Sequence, residues 1–391
     1  MKSLLFIPSR PYRSDSVYIS VSKELKHKYP EAYTICLDLF SDKHSLGRKV
    51  DVNKRYSLLS KHFDEVIFKT LIEAKNKGRF NTWRLIFNLN REIAKVIRKF
   101  NPKVIIMNSL HAPYSFFLHD FSNKYSFELV CIQTVANSTT PLRILSINNA
   151  SVKDMLFRYF LIYNSYFLPN KKLKFLSWNG NVNNSRNTHL VLEEYSLGNV
   201  MFDKPLSQFK GNLVSKINEI IIISQPIFHG TNGEYLLNFY KSIVLYVKSK
   251  NLSLRIISHP RQKINELANL LDINTQDAEY SDSFENSIVE NAIFITTSSA
   301  YALDWINRGF PVFSITEPNK KDYSNVFGPN FNYYIYSIDQ FKKEINRWIE
   351  RPVSLYKQFL KNRTHIIKGY NKHTEPKALH EVSSFLMKFL K

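Results

Sequence analysis

The stretch Ala292–Ile315, AIFITTSSAYALDWINRGFPVFSI, holds one complete strand–helix–strand unit. Ala292–Thr296 is an apolar run of strand length, bounded by polar turn residues. Thr297, Ser298 and Ser299 follow with hydroxyls suited to capping a helix. Ser299–Arg308 predicts that helix, and Gly309 stops it. Pro311–Ile315 is a second apolar run. Two short apolar strands joined by a helix run parallel, with both faces of their sheet covered.

The alternation continues in both directions. Upstream, Glu219–Ile223 predicts a strand, Glu234–Val247 an amphipathic helix, Leu254–Ser258 a strand and Gln262–Leu271 a helix. A separate series occupies the N-terminal half. It has strands at Ser3–Ile7, Tyr33–Leu39, Lys103–Met107 and Glu128–Gln133. Helices are predicted at Ser16–Tyr29, with Ser14 to Ser16 offering caps, and at Asn81–Phe100. In the latter, Leu85, Ile86, Leu89, Ile93, Val96 and Ile97 recur at helical spacing. Leu190–Asn199 reads as a strand and a helix start. The fold class is therefore α/β, with two Rossmann-like, doubly wound parallel-sheet domains. The expected boundaries are 1–205, 206–340 and a basic helical tail, 341–391, that crosses back to the first domain. That tail holds 12 Lys and Arg against 4 Glu.

Composition narrows the function. A chain of 391 residues suits two domains, and 44% hydrophobic residues exclude a disordered class. Lys and Arg number 54 against 33 Asp and Glu, a net charge of +21 that calls for an anionic partner. Cys36 and Cys131 stand far apart, so a disulfide framework and a cysteine zinc site are excluded. The eleven histidines form no HExxH, and no metal is expected. The ten glycines build neither GxGxxG nor a P-loop. No apolar run reaches the roughly 18 residues of a membrane span. The first apolar run ends at Pro8, too early for a signal peptide, so a cytoplasmic chain is expected. Met155–Leu168 carries Arg158 and reads as a surface or interdomain helix.

Three short segments carry chemistry. In the first, strand residues Ile256, Ile257 and Ser258 lead into His259-Pro260-Arg261. Ligands of open α/β sheets bind beyond the carboxyl ends of strands, and a His beside an Arg suits a phosphate. His259 as a simple turn cap is the alternative. In the second, Thr297, Ser298 and Ser299 follow a strand and can both cap a helix and bind an anion. The third is Ser283-Phe284-Glu285-Asn286, where Glu285 is either a partner of ribose hydroxyls or a solvated acid. Glu285 lies 26 residues after His259 and 13 before Ser298.

His-Pro, Phe-Glu and Ser-Ser in this order resemble the donor half of the bacterial sialyltransferases of the lipooligosaccharide and capsule (polysialyltransferase) type. Ile223-Ser224-Gln225-Pro226-Ile227 is similar to the Gln-Pro element that opens that half. The likeness covers roughly residues 219–316. It implies a GT-B-like fold whose two domains face a central cleft, a CMP-sialic acid donor and no metal or other cofactor. It implies that His259 is the general acid on the donor phosphate and that Ser298 and Ser299 bind phosphate oxygens. It also implies that Glu285 binds the ribose. Gln225, Pro260, Arg261 and Thr297 complete the expected donor site. In the same fold Arg10, Arg13 and His111 follow strands on the cleft side and are candidate contacts to an acidic glycan acceptor, with solvated surface side chains the alternative for the two arginines.

The catalytic base departs from the family pattern. Glu193 and Glu194 precede Gly198 with extra residues between. They are either the base or a helix start leading into the second domain. No Asp follows the Gln-Pro element, which leaves His229 or Glu234 as substitutes, with Glu234 also readable as a helix N-terminal acid. The expected partners are a nucleotide-sugar donor, a cell-surface glycan and an anionic membrane surface. One rival keeps the fold with another donor, a UDP-sugar, CMP-Kdo or a CDP-polyol. The other is a basic nucleic-acid-binding protein. It explains the charge but not the ordered motifs, and no nucleic-acid-binding motif is present.

Overall fold

A computed structural model describes residues 2–8, 13–40, 52–72, 79–108, 118, 121–122, 124–134, 173–180, 193–203, 216–225, 233–259, 262–280, 289–297, 299, 301–316, 327 and 331–391. The chain forms two compact units. The first comprises Met1–Ser45, Lys49–Lys204 and Asn371–Lys391, and the second Leu46–Arg48 and Pro205–Tyr370.

In the first unit the elements run β1 (Ser3–Ile7), α1 (Arg13–Lys28), β2 (Tyr33–Phe40), α2 (Val52–Ser60), β3 (Glu65–Ile72), α3 (Arg79–Phe100), β4 (Val104–Met107), β5 (Glu128–Ile132), β6 (Leu173–Ser177) and β7 (Glu193–Ser196). The strands form one parallel sheet in the order β3-β2-β1-β4-β5-β6-β7. Every residue of β1 is buried, as a central strand covered on both faces requires. Alternate residues serve opposite faces. Leu5 and Ile7 meet Leu89, Ile93 and Ile97 of α3. Leu4 and Phe6 meet Val17, Val21 and Leu25 of α1.

Helix α1 begins at Arg13, three residues before the expected Ser16, and tertiary charge pairing explains the difference. Asp15 in its first turn accepts two hydrogen bonds from the buried Arg55 guanidinium, at 2.7 and 2.8 Å. Arg55 also bonds the buried Asp38 of β2. One side chain of α2 therefore ties α1 to β2, and all three groups are buried.

The second unit runs β8 (Glu219–Ile223), α4 (Gly233–Ser249), β9 (Ser253–Ser258), α5 (Ile264–Leu271), β10 (Ala278–Tyr280), β11 (Ala292–Thr296), α6 (Tyr301–Asn307), β12 (Val312–Ile315), β13 (Tyr334–Ile335), α7 (Ile338–Glu350) and α8 (Pro352–Lys368). Its parallel sheet has the order β10-β9-β8-β11-β12-β13. The chain steps outward from β8 to β10, then returns to β11 beside β8 and steps out the other way. The switch point of the sheet thus lies between β8 and β11. Helix α6 is only seven residues long, shorter than the Ser299–Arg308 expectation. Trp305 stacks on Phe294 with ring centroids 4.5 Å apart. Gly309, at φ +95°, ends the helix. Its N–H bonds Ile306 O and the Phe310 N–H bonds Trp305 O, a Schellman stop.

The basic tail expected from residue 341 is divided between the units. Helices α7 and α8 belong to the second, and Asn371–Lys391, with α9 (Ala378–Met387), to the first. Three backbone ties hold the returning segment. Asn199 N donates to Asn371 Oδ1 at 2.8 Å and Lys372 N to Trp178 O at 2.7 Å, while Leu379 N donates to Asp203. Ala378, Val382, Phe385 and Leu386 complete the core on the α1 face. Gly198 sits at φ +86°, and a Cβ there would come within 2.6 Å of His373 Cδ2. Only glycine lets the chain pass so close. Among the described residues no helix is long and apolar enough to cross a membrane. The segment Met155–Leu168 lies outside the described residues.

Removing Arg55 leaves two buried carboxylates without a counter-ion. Arg55→Leu is expected to lower the unfolding free energy by about 3–5 kcal/mol, measured by urea denaturation. Replacing Asp15, Asp38 and Arg55 together by apolar residues is expected to recover much of that loss.

Candidate active site

The carboxyl ends of β9, β8 and β11 lie side by side, and side-chain hydroxyls fasten them together. Ser224 N bonds Ile257 O at 2.9 Å, extending the β8–β9 ladder by one residue. Ser224 Oγ then accepts from the His259 N–H at 3.2 Å. On the other side of β8, Thr296 Oγ1 donates to Ile223 O at 3.2 Å. The same oxygen accepts a long 3.4 Å bond from Ser299 N. Thr297 O accepts from Ser314 Oγ of β12 at 2.7 Å. Four strands thereby hold one another at the edge where ligands of such sheets bind.

Gln225, His259, Thr297 and Ser299 of the expected donor site are brought to this edge. All four are half-buried. The Gln262 N–H bonds His259 O at 2.8 Å. The Gln262 carbonyl in turn accepts from Ser258 Oγ at 3.1 Å and from the Tyr280 hydroxyl at 3.4 Å. Beneath the edge, α4 supplies the wholly buried Tyr240. Burial pushes its phenol well up, while the adjacent Gln225 backbone and Thr297 side chain pull the other way.

Ser299 takes up the capping role. Its Oγ accepts from Tyr301 N at 3.3 Å, and its carbonyl accepts from Ala302 N at 3.0 Å. Accepting uses a lone pair and leaves the hydroxyl proton to donate. Capping a helix and binding an anion therefore remain compatible at this residue.

The other candidates are dispersed. Glu193 and Glu194 lie on the edge strand β7 of the first unit, not at the helix start that was one of their two readings. Strand pairing with β6 decides this. Lys174 of β6 bridges Glu128 at 2.7 Å and Glu193 at 3.6 Å, a charge ladder across three strands. The Tyr195 hydroxyl donates to Glu193, and that bond pushes the phenol up to about 12. Glu234 is exposed in the first turn of α4, where a carboxylate complements the helix dipole. Arg10, His111, His229, Pro260, Arg261, Glu285 and Ser298 lie outside the described residues. Arg13 opens α1, and its side chain is also outside them. Ser224, Thr296, Tyr240 and Ser314 were not assigned from sequence. Ser224 and Thr296 stand inside the quoted motifs as strand-end hydroxyls. Nothing local marks Tyr240 or Ser314.

No protein-family model matches this sequence, and no curated protein does. Solved structures do match its fold over the whole chain. One is a Listeria monocytogenes protein assigned as a UDP-N-acetylglucosamine 2-epimerase, with TM-score 0.61 and 10% identity, covering 100% of this chain and 96% of that one. A glycosyltransferase from Rickettsia africae has TM-score 0.59 and 14% identity, covering 100% and 99%. The UDP-GlcNAc 2-epimerase of Neisseria meningitidis, solved with UDP-GlcNAc bound, has TM-score 0.55 and 12% identity, covering 100% and 99%. At such identities the likeness is one of fold. The chain has the two-sheet GT-B architecture.

Ser299→Ala removes the cap of α6 and is expected to cost about 1 kcal/mol of unfolding free energy. Ser299→Asn keeps an acceptor and is expected to restore most of it. If the Ser299 hydroxyl also serves a phosphate, CMP affinity falls in both variants. Denaturation and calorimetric titration of the same samples separate the two roles.

Proposed function

We propose that this chain is an inverting, metal-independent glycosyltransferase that moves sialic acid from CMP-sialic acid to a cell-surface glycan, a lipooligosaccharide or capsule chain. The observation that carries the reading is the meeting of Gln225, His259, Thr297 and Ser299 at the joined ends of β8, β9 and β11. This is the edge where an α/β sheet takes its ligand. The GT-B architecture supports a nucleotide-sugar substrate, because the Neisseria protein of the same fold was solved holding one.

In this reading the bond between the sugar's anomeric carbon and the phosphate oxygen breaks, and CMP departs. His259 gives its proton to that phosphate. Thr297, Ser298 and Ser299 hold phosphate oxygens, with Gln225, Pro260 and Arg261 around them, and Glu285 holds the ribose. The acceptor hydroxyl attacks the opposite face of the sugar and loses its proton to a base. Glu193, Glu194, His229 and Glu234 are the candidates for that base. The occupied position of Glu193 in the β7 ladder weighs against it. Arg10, Arg13 and His111 are proposed contacts to an acidic acceptor. The net charge of +21 suits an acidic donor and work at the inner, anionic face of a membrane.

His259→Ala is expected to lower transfer by about 10²–10⁴-fold without lowering the melting temperature, since the residue lies beyond a strand and not in a core. More than half the normal rate in a folded variant overturns the general-acid assignment. For the donor, the measurement is a thermal-shift series with CMP, UDP, CDP and GDP, in which CMP is expected to stabilise most. A second reading keeps the site and takes a UDP-sugar. It is favoured by the UDP-N-acetylglucosamine enzymes among the solved structures of the same fold. A larger shift with UDP than with CMP selects it.

A further inference from the structure

Helix α8 has a face that the donor chemistry does not use. Leu355, Tyr356, Phe359, Ile366 and Ile367 turn inward and are buried. The opposite arc carries Val353, Lys357, Leu360, Lys361, Thr364 and Lys368, all exposed. At 3.6 residues per turn, the three lysines form a narrow stripe with Val353 and Leu360 along one border. Val353 is 37% and Leu360 39% exposed.

The charge on this face is uncompensated. From Arg351 to Tyr370 the sequence contains no Asp or Glu. Among the described residues Lys357, Lys361 and Lys368 form no ion pair. Some exposed lysines elsewhere have an acidic partner, as Lys95 has Glu92, Lys263 has Glu266 and Lys372 has Glu381, but no acid within α8 can serve its lysines so. The remaining cation within α8, Arg363, is turned inward. It donates to Ile306 O at 2.9 Å and to Asn307 O, holding the end of α6.

We infer that this face of α8 docks on an anionic lipid surface. Lipid headgroups offer phosphates to the lysine stripe, each lysine near the surface strengthening binding about fivefold. The neighbouring Val353 and Leu360 then enter the boundary between headgroups and acyl chains. A nucleic acid would engage the lysines but leave both apolar side chains in water. The helix lies in the interface plane, as its one-sided burial requires. The inference rests on the membrane-facing part of the proposed function and gives that part a surface. It does not depend on which donor is used.

The test is co-sedimentation of the full chain with vesicles of phosphatidylcholine alone and of phosphatidylcholine mixed with phosphatidylglycerol. Binding is expected only to the mixed vesicles and is expected to weaken as salt is raised. Lys357→Gln, Lys361→Gln and Lys368→Gln together are expected to weaken it roughly a hundredfold, and Leu360→Ser to weaken it further. The same three positions changed to Arg are expected to retain binding. A control removes equal charge elsewhere through Lys95→Gln, Lys263→Gln and Lys377→Gln. Circular dichroism confirms folding of each variant. No binding to mixed vesicles, equal loss in the control, or an unchanged triple Gln variant overturns the inference. So does binding of a duplex oligonucleotide in place of vesicles. A protein that binds vesicles through α8 yet shows no shift with CMP refutes the donor reading and leaves this one standing.

Discussion

Two hydroxyls at the ends of neighbouring strands hold the candidate site together. Ser224 receives the His259 N–H, and Thr296 gives its proton to Ile223 O. Parallel strands pair through evenly spaced bonds that stop where the strands stop. Beyond that limit backbone groups need other partners, because a buried polar group left unpaired is costly. The two side chains supply those partners and keep the chain in register for another residue. His259 and Ser299 are consequently placed by bonds to β8 and β11. The central position of β8 matters here, since it alone touches both strands that deliver the candidate residues.

The first unit solves a different problem by similar means. Its sheet is covered on the α1 face partly by a segment that arrives from the end of the chain. That segment is fastened at its entry by Asn371 and Lys372 and at α9 by Asp203. Burial raises the Asp203 carboxyl, while the α9 N–H groups it accepts oppose that rise. The carboxylate thus serves as an N-terminal partner supplied from outside the helix. Together with the Arg55 contacts to Asp15 and Asp38, polar groups fix where the helices of this unit begin.

The charge of the chain divides along the same lines. Many of its lysines and arginines have structural duties, as in the Glu128–Lys174–Glu193 ladder, the Arg255–Glu219 pair and the Arg363 contacts to α6. Among the described residues the lysines of α8 form no ion pair, so the net charge alone does not show where positive charge stands unpaired.

Sequence alone determined the class of fold and the central strands. Glu219–Ile223 and Ala292–Thr296 have the observed limits, and Ser3–Ile7 does too, because each is an apolar run bounded by polar residues. The order of His259, Thr297 and Ser299 after strand ends was equally legible. Strands β3, β6, β10 and β13 and helix α2 were not. The sheet-edge strand β3 is only half-buried where its side chains are described, and β10 and β13 span three and two residues. Such segments lack a continuous apolar signal, and their pairing partners complete them. Glu193 and Glu194 were ambiguous for the same reason: two adjacent acids carry no period, and only pairing with β6, where Lys174 meets Glu193, places them on a strand. The division of the C-terminal tail at Asn371 and the seating of Tyr240 under the site were decided by tertiary packing. Each depends on contacts between residues far apart in the chain, and local periodicity carries no record of such contacts.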